Sequence, residues 1–327
     1  MSFSIPENSI LSLTFLGNTG AISLSNALNQ GTFLGLKCID NRCASDLTAE
    51  EARDVRFLYG HGKPSVLTVY GRPIFYATMV RDPVKKFISD YNWYRGYYCG
   101  SFSRDSSAYA DWQENRKKPF WCVRGSWEDF LDSLESLGLF ADYCLQYPSV
   151  TGLWSIMCSL YPEKFSLSDK DNPGTADRLV AHMQQTWSLI GITELFEETL
   201  FLISRSLNLP SPAPWVRVGP FQPTISDDRS VCSETLEKIR KSRTFEYLVY
   251  NKLRESFERQ LKEFSFDEEF MDYKVRSLLF DNNIMGAYLS NKKEYMPKAM
   301  IESPDAMHRF SVALLKAFVR GQPSTIG

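Results

Sequence analysis

Three short stretches of the chain combine residue types that can hold an anion or move a proton. Residues 17–23 form a turn with two glycines and end in a serine. Arg81 and Ser89 are separated by about two turns of a predicted helix. His61 stands between two glycines. These stretches predict an anion cradle, a phosphate clamp and a general base, provided that the fold brings them together.

The turn at residues 17–23 joins a predicted strand to a predicted helix. An apolar run at 10–16 favours a buried strand, and residues 21–29 favour a helix. Backbone N–H groups at the start of a helix, with the hydroxyl of Ser23, can bind an anion. A plain tight connection has the same glycine pattern. The Walker sequence GxxxxGK[ST] is absent, which disfavours an ATPase or GTPase and leaves a P-loop kinase as a lesser alternative.

Arg81 follows a second predicted strand, at residues 74–80. Asp82 and Pro83 are suited to the N-cap and first turn of a helix behind it. Ligands of open α/β sheets bind at the carboxyl ends of strands, and a guanidinium matches phosphate oxygens. We therefore expect Arg81 and Ser89 to hold phosphate, the alternative being an ordinary helix start with a surface serine.

His61 is one of only three histidines, with His182 and His308 far away in the sequence. A multi-histidine metal centre is therefore not expected, and we predict no metal. Glycines on both sides favour a turned loop, where an imidazole with a pKa near neutrality can take a proton from a hydroxyl. A merely solvated histidine is the alternative.

Strand and helix patterns alternate along the chain and predict an α/β domain. A third buried strand is expected at 187–192, and helices at 48–57, 194–207 and 233–264. Thr193 is the predicted cap of the second of these helices. The alternation favours a central, mainly parallel sheet flanked by helices. We assign residues 1–265 to this domain and 266–327 to a C-terminal helical extension packed on or beside it.

The composition excludes several classes of protein. The 327 residues are 43% hydrophobic, and 37 basic side chains face 39 acidic ones, which disfavours disorder and general nucleic-acid binding. The seven cysteines form no CxxC pair, which disfavours zinc ribbons and redox pairs. The first residues lack the pattern of a signal peptide or membrane span. We expect a soluble, cytoplasmic or otherwise intracellular protein, or else a trimmed luminal domain.

The order of these stretches resembles a known family. The run from Tyr76 to Tyr91, YATMVRDPVKKFISDY, resembles the RDPxxRxxSxY segment of carbohydrate O-sulfotransferases, closest to heparan sulfate 2-O- and uronyl sulfotransferases. Gly60-His61 resembles a Gly-His segment of that group, and LIGITELFEE at 189–198 resembles its LVGVTEEFE passage. The helix near 236–264 resembles its closing helix, so the similarity spans about residues 10–265.

The resemblance implies a P-loop-like, three-layer fold that binds 3′-phosphoadenosine-5′-phosphosulfate and needs no metal. It implies that Arg81 and Ser89 hold the 3′-phosphate and that His61 deprotonates the acceptor hydroxyl. Positioning and donors aimed at developing charge are the main needs of such a transfer. The residues implied to hold the 5′-phosphosulfate are Gly17, Thr19, Gly20, Ala21, Ile22 and Ser23.

Asn18 departs from the family pattern, in which a lysine of the first loop contacts the leaving phosphate. An amide donates a hydrogen bond but brings no charge, and loss of one such donor costs about 10²–10³ in rate. Lys63 or Arg124 could supply the missing cation. Two functions follow: a sulfotransferase, or a catalytically impaired relative that binds nucleotide or glycan without turnover.

The acceptor is expected to be a carbohydrate or another hydroxyl compound. Aromatic rings can stack on sugars, and interleaved cations can hold anionic groups. A partly buried aromatic loop with solvated charges would show the same pattern. The candidate acceptor residues are Lys63, Trp93, Tyr94, Arg116, Lys117, Lys118 and Arg124.

Overall fold

A central sheet of five parallel strands organises the molecule. The computed structural model describes residues 9–17, 37–40, 55–61, 72–95, 152–207, 233–263, 267–280 and 297–320, with Thr19, Ala21, Leu24, Leu28 and Glu50. The strands are β1 (Ile10–Thr14), β2 (Lys37–Asp40), β3 (Val55–Gly60), β4 (Ile74–Val80) and β5 (Leu189–Ile192). Their order across the sheet is β2-β3-β1-β4-β5, and every neighbouring pair is parallel.

Strand β1 lies at the centre of this sheet, and its residues are buried on both faces. All five of its residues are buried, and it pairs with β3 on one side and β4 on the other. An uninterrupted apolar strand is typical of a parallel sheet covered on both faces by helices. The register sets Thr14 opposite Gly60 and Thr78, so the carboxyl ends of three strands meet at one edge.

The helices whose bounds are described flank the sheet, and all of them come after β4 in the sequence. They are α1 (Pro83–Arg95), α2 (Leu153–Leu160), α3 (Thr175–Thr186), α4 (Phe196–Ser206), α5 (Ser233–Ser242), α6 (Thr244–Glu263), α7 (Glu268–Phe280), α8 (Lys298–Ile301) and α9 (Pro304–Arg320). Short 3₁₀ turns occupy Leu167–Asp169 and Thr193–Leu195. Within the described parts of the chain, none of these helices is both long and apolar enough to cross a membrane.

The predicted α/β class with a parallel sheet is confirmed, but two predicted helices are not. Residues 55–57, expected at the end of a helix, open β3. The acidic residues that favoured a helix stop at Asp54, and the apolar residues after it are buried in the sheet. The single helix expected at 233–264 is two helices that meet at Arg243. Strand β2 and helix α3 were not predicted.

The C-terminal segment shares the hydrophobic core of the rest of the chain. Phe201 of α4 packs its ring 5.1 Å from Phe270 and 5.5 Å from Tyr273, both on α7. Lys274 of α7 is 1% exposed and lies 2.6 Å from the Glu198 carboxylate of α4. Burial raises the pKa of Glu198, and the Lys274 ammonium opposes that rise. Helices α4 and α7 are therefore joined by both packing and a buried ion pair.

Gly191 of β5 is predicted to tolerate no side chain. A Cβ at this position would lie 2.2 Å from Cγ2 of Thr199, whose hydroxyl is fixed by Leu195 O at 2.9 Å. Gly191→Ala should therefore lower the free energy of unfolding by about 2–3 kcal/mol in urea titrations. Thr199→Ser removes the offending methyl and should recover about 1 kcal/mol in the double variant.

Gly174→Ala is the control for that experiment. A Cβ there meets nothing within 4 Å, and the only cost arises from its φ of +77°. We expect a loss of about 1 kcal/mol that Thr199→Ser does not recover. Equal losses at Gly191 and Gly174 would contradict the packing argument.

Lys274 is predicted to be essential for the stability of the α4–α7 contact. Lys274→Met leaves Glu197 and Glu198 without their buried cation, so the free energy of unfolding should fall by about 3–5 kcal/mol. Adding Glu198→Gln should restore part of that loss. Lys298→Met, which removes an exposed ammonium 3.6 Å from Glu302, should have little effect. A Lys274→Met variant as stable as the parent chain would exclude this role.

Candidate functional site

The strand order places a ligand crevice between β1 and β4. The chain leaves β1 toward β2 on one side of the sheet and leaves β4 toward β5 on the other. Open α/β sheets bind ligands at such a switch point, outside the carboxyl ends of the strands. The loop after β1 and the Arg81-Asp82 segment after β4 both start here. The topology alone therefore brings two of the predicted functional stretches together.

The loop after β1 is anchored at both of its described ends. Phe15 N–H donates to Gly60 O at 2.7 Å, which extends the pairing of β1 with β3. Gly17 has a φ of 81°, a conformation that favours glycine, and its carbonyl accepts from Thr19 N–H at 2.7 Å. Beyond Thr19, the helical residues Ala21, Leu24 and Leu28 are buried in the core. The predicted strand–turn–helix unit is thus observed where it is described.

Two buried threonine hydroxyls fix the strand ends at this edge. Thr78 of β4 donates to Thr14 O of β1 at 2.8 Å. The Thr193 hydroxyl, just after β5, contacts Thr19 O and lies 3.0 Å from Val80 O. Thr193 is expected from the sequence to cap a helix, but it begins a 3₁₀ turn, and α4 begins at Phe196. The Thr193 hydroxyl instead connects the β1 loop at Thr19 to the end of β4 at Val80.

Asp82 caps α1 as predicted, and Tyr247 of α6 holds it in place. Its Oδ1 accepts from Val84 N–H at 3.0 Å and Lys85 N–H at 3.1 Å. Tyr247 of α6 donates its hydroxyl to the same carboxylate at 3.1 Å. Burial first, and then the Asp82 charge, raise the pKa of Tyr247, so its hydroxyl stays a donor.

Glu194 supports the backbone of the Arg81-Asp82 segment from the other side. Its carboxylate accepts Asp82 N–H at 3.3 Å and the Tyr250 hydroxyl at 2.8 Å. Burial first, and then the Glu194 charge, raise the pKa of Tyr250, which keeps its proton. The backbone that bears the Arg81 side chain is therefore fixed by Glu194, which follows β5, and through it by α6.

A cleft beside Arg81 is lined by charged side chains of three elements. Thr19 of the β1 loop forms part of its wall. Arg81, Lys86 and Arg243 bring three positive charges, and Asp90 and Glu246 bring two negative ones. The lining therefore has an excess of one positive charge, which suits an anionic ligand.

The charges of the cleft are buried and paired in a fixed pattern. Lys86 Nζ lies 2.6 Å from Asp90 Oδ2, one helical turn away on α1. Lys170 Nζ lies 3.0 Å from Glu246 Oε1, and Arg243 Nη1 lies 4.0 Å from the same oxygen. Burial lowers the pKa of Lys86, Asp90 opposes that change, and the Arg243 charge adds to it. A bound anion would favour the charged form of this lysine.

His61 immediately follows β3 and lies against the start of the β1 loop. Its Nδ1 is 3.2 Å from Phe15 O, and the two rings meet edge to face at 5.5 Å between centroids. A carbonyl oxygen only accepts, so Nδ1 carries the proton and Nε2 carries the lone pair in the neutral imidazole. The ring is exposed, as a base that meets a ligand hydroxyl requires.

The structure brings several predicted site residues to this one edge. Gly17, Thr19 and Ala21 lie in the unit that follows β1. Arg81 and His61 follow β4 and β3, the two strands that pair with β1 on either side. Ser89 is half-buried on α1 and does not line the cleft of Arg81. The predicted residues that lie outside the described ones are Asn18, Gly20, Ile22, Ser23, Lys63, Arg116, Lys117, Lys118 and Arg124, together with the side chains of Trp93 and Tyr94.

Four charged residues of the cleft were missed by sequence reasoning. Lys86 and Asp90 did carry a signal, because their i, i+4 spacing sets them on one face of α1 with the buried ring of Phe87. Arg243 and Glu246 carried none, since they lie in what the sequence presents as one continuous charged helix. In the structure the helix breaks at Arg243, and Glu246 lies in the first turn of the new helix α6.

The chain was compared with known proteins by sequence, and no protein-family model and no curated protein matches it.

Proposed function

We propose that the protein is a sulfotransferase that moves a sulfuryl group from 3′-phosphoadenosine-5′-phosphosulfate to a hydroxyl, on a carbohydrate. The observation that carries this proposal is the meeting, at one edge of the sheet, of the Arg81 cleft, the β1 loop and His61. An anion clamp, an anion cradle and a base are the three devices that such a transfer needs.

A P-loop-like arrangement is part of the proposal, and the strand–turn–helix unit after β1 supports it. The turn at Gly17 precedes the buried helical residues Ala21, Leu24 and Leu28, and the N–H groups at the start of a helix are suited to bind a phosphosulfate. The position of this unit at the switch point between β1 and β4 is where such a ligand binds in open parallel sheets.

The donor set of the cleft fits the 3′-phosphate of the proposed donor. Arg81 supplies a guanidinium fork, and Lys86 and Arg243 supply two more cations on buried, fixed side chains. When bound, the donor supplies a sulfuryl group whose bond to phosphate breaks as the acceptor oxygen attacks. In this arrangement Arg81, Lys86 and Arg243 hold the end of the donor that does not react.

His61 is the proposed general base. Its Nδ1–H is held by Phe15 O, so Nε2 receives the proton of the acceptor hydroxyl as that oxygen attacks sulfur. The hydrogen bond to Phe15 also stabilises the imidazolium that results, since a carbonyl oxygen bears partial negative charge. The same bond orients the ring beside the β1 loop.

A binding protein without turnover is the second candidate, and Asn18 favours it. The first loop offers an amide where the resembling family has a lysine, so the leaving phosphate lacks one charge-assisted donor. The cleft cations hold a nucleotide equally well in this case. The two candidates differ only in the rate of transfer.

Nucleotide binding separates both candidates from a kinase. Adenosine 3′,5′-bisphosphate should raise the melting temperature of the protein, and ATP with magnesium should not. Arg81→Gln should weaken bisphosphate binding about 10–100-fold, because a charge-assisted contact to phosphate is lost. Arg178→Gln, at an exposed position of α3, should bind like the parent chain. Stabilisation by ATP with magnesium alone would contradict the proposal.

Radiolabelled sulfate transfer to a panel of glycans tests catalysis. His61→Ala should lower the transfer rate about 10²–10⁴-fold while bisphosphate binding is unchanged, and the exposed His308→Ala should have no effect. Asn18→Lys should raise the rate about 10²–10³-fold. If the parent chain, His61→Ala and Asn18→Lys are equally inactive while nucleotide still binds, the second candidate replaces the first.

A further inference from the structure

The cleft of Arg81 contains a carboxylate that a site for a simple anion would not include. Asp90 is matched by Lys86 at 2.6 Å, so this pair is neutral by itself. Glu246 lies in the same wall and is 4% exposed. Lys170 matches the charge of Glu246 through Oε1 at 3.0 Å, so what this carboxylate still lacks among the described residues is a donor for its second oxygen. A ligand group that donates a hydrogen bond can supply that donor.

The two oxygens of Glu246 are not equivalent. Oε1 accepts from Lys170 at 3.0 Å and has Arg243 at 4.0 Å. Oε2 is buried and has no hydrogen-bond partner among the described residues. A buried acceptor without a donor is costly, more so when it is charged, and binding sites are where such atoms occur. Oε2 is therefore suited to accept from a ligand.

The Glu246 carboxylate is held in position before any ligand arrives. A Cβ on Gly152, which precedes α2, would lie 2.8 Å from Oε1, so the backbone there packs directly against the carboxylate. Gly152 has a φ of 100°, in the region that favours glycine. Lys170 and Arg243 contact the carboxylate from other elements. An acceptor fixed in this way discriminates between ligands, because it does not move to find another donor.

We propose that this cleft recognises a phosphomonoester together with a neighbouring hydroxyl: Arg81, Lys86 and Arg243 hold the phosphate, and Glu246 accepts the hydroxyl proton in a hydrogen bond. A ribose that carries a 3′-phosphate and a free 2′-hydroxyl has this pair of groups on adjacent carbons. The inference rests on the proposed function and adds that the site selects a ribonucleotide donor through Glu246.

A matched pair of ligands tests the inference on the unmodified protein. Adenosine 3′,5′-bisphosphate and its 2′-deoxy analogue differ by one hydroxyl, and their dissociation constants are measured by calorimetry. The deoxy analogue should bind about 10–100-fold more weakly, because it leaves Glu246 Oε2 buried without a donor. Adenosine 5′-monophosphate, which lacks the 3′-phosphate, should bind more weakly still.

The variant Glu246→Gln tests whether this residue causes the difference in affinity between the two ligands. The neutral amide accepts a weaker hydrogen bond, so the ratio between the two ligands should fall to less than about 3-fold. Glu255→Gln changes an exposed glutamate of α6 and should leave the ratio of the parent chain unchanged. Circular dichroism of both variants shows whether the fold is retained. The comparison of the two ligands on the parent chain tests the inference even if a variant does not fold.

The outcomes separate this inference from the proposed function. Strong binding of the bisphosphate with equal binding of its deoxy analogue overturns the role of Glu246 and leaves the proposed function standing. A ratio that persists in a folded Glu246→Gln also overturns it, since another group then reads the hydroxyl. Absence of bisphosphate binding by the parent chain overturns the proposed function itself. A large ratio that Glu246→Gln abolishes supports both.

Discussion

The hydroxyl of Thr193 holds together the edge of the sheet on which the candidate site depends. It contacts the backbone carbonyls of Thr19 and Val80 from a position directly after β5. This one group therefore connects the loop after β1 to the carboxyl end of β4 and to the residue after β5, in addition to the pairing of the strands themselves. A buried carbonyl without a donor is costly, so this contact stabilises the folded form of the edge. The Thr193 contacts also help to set the position of the β1 loop relative to the start of α1.

A second constraint is the burial of charge behind that edge. Lys86, Asp90, Arg243 and Glu246 are each less than 7% exposed. Transfer of ions from water costs several kcal/mol for each ion, and pairing does not fully offset that cost. An apolar wall would pack at least as well, so the buried charges make this cleft the candidate ligand site of the described residues. A ligand that adds negative charge to this lining offsets part of the cost.

Local sequence patterns predicted the elements of the site but not their full set of partners. Asp82 caps α1 because its side chain reaches N–H groups two and three residues onward, which a sequence shows directly. The parallel sheet followed from apolar runs such as β1. The start of strand β3 is predicted as helix, because the acidic residues before Val55 continue a helical sequence pattern. The apolar residues that follow are instead buried in the sheet. Such boundaries depend on contacts between distant residues.

Two of the four missed cleft charges, and the two tyrosines that contact the segment after β4 or its support, lie near the break before α6. Arg243, Glu246, Tyr247 and Tyr250 all lie within two turns of that break, and each faces the segment after β4 or the cleft beside it. A continuous helix through 233–264 would direct these side chains according to one uniform periodicity, whereas the new helix start at Thr244 sets their direction independently of α5. The Arg81 segment is thus a local motif, and α1 itself adds Lys86 and Asp90, whereas Arg243 and Glu246 come from the break before α6 and from its first turn. Chains that share the motif and differ at the start of α6 should therefore hold different ligands.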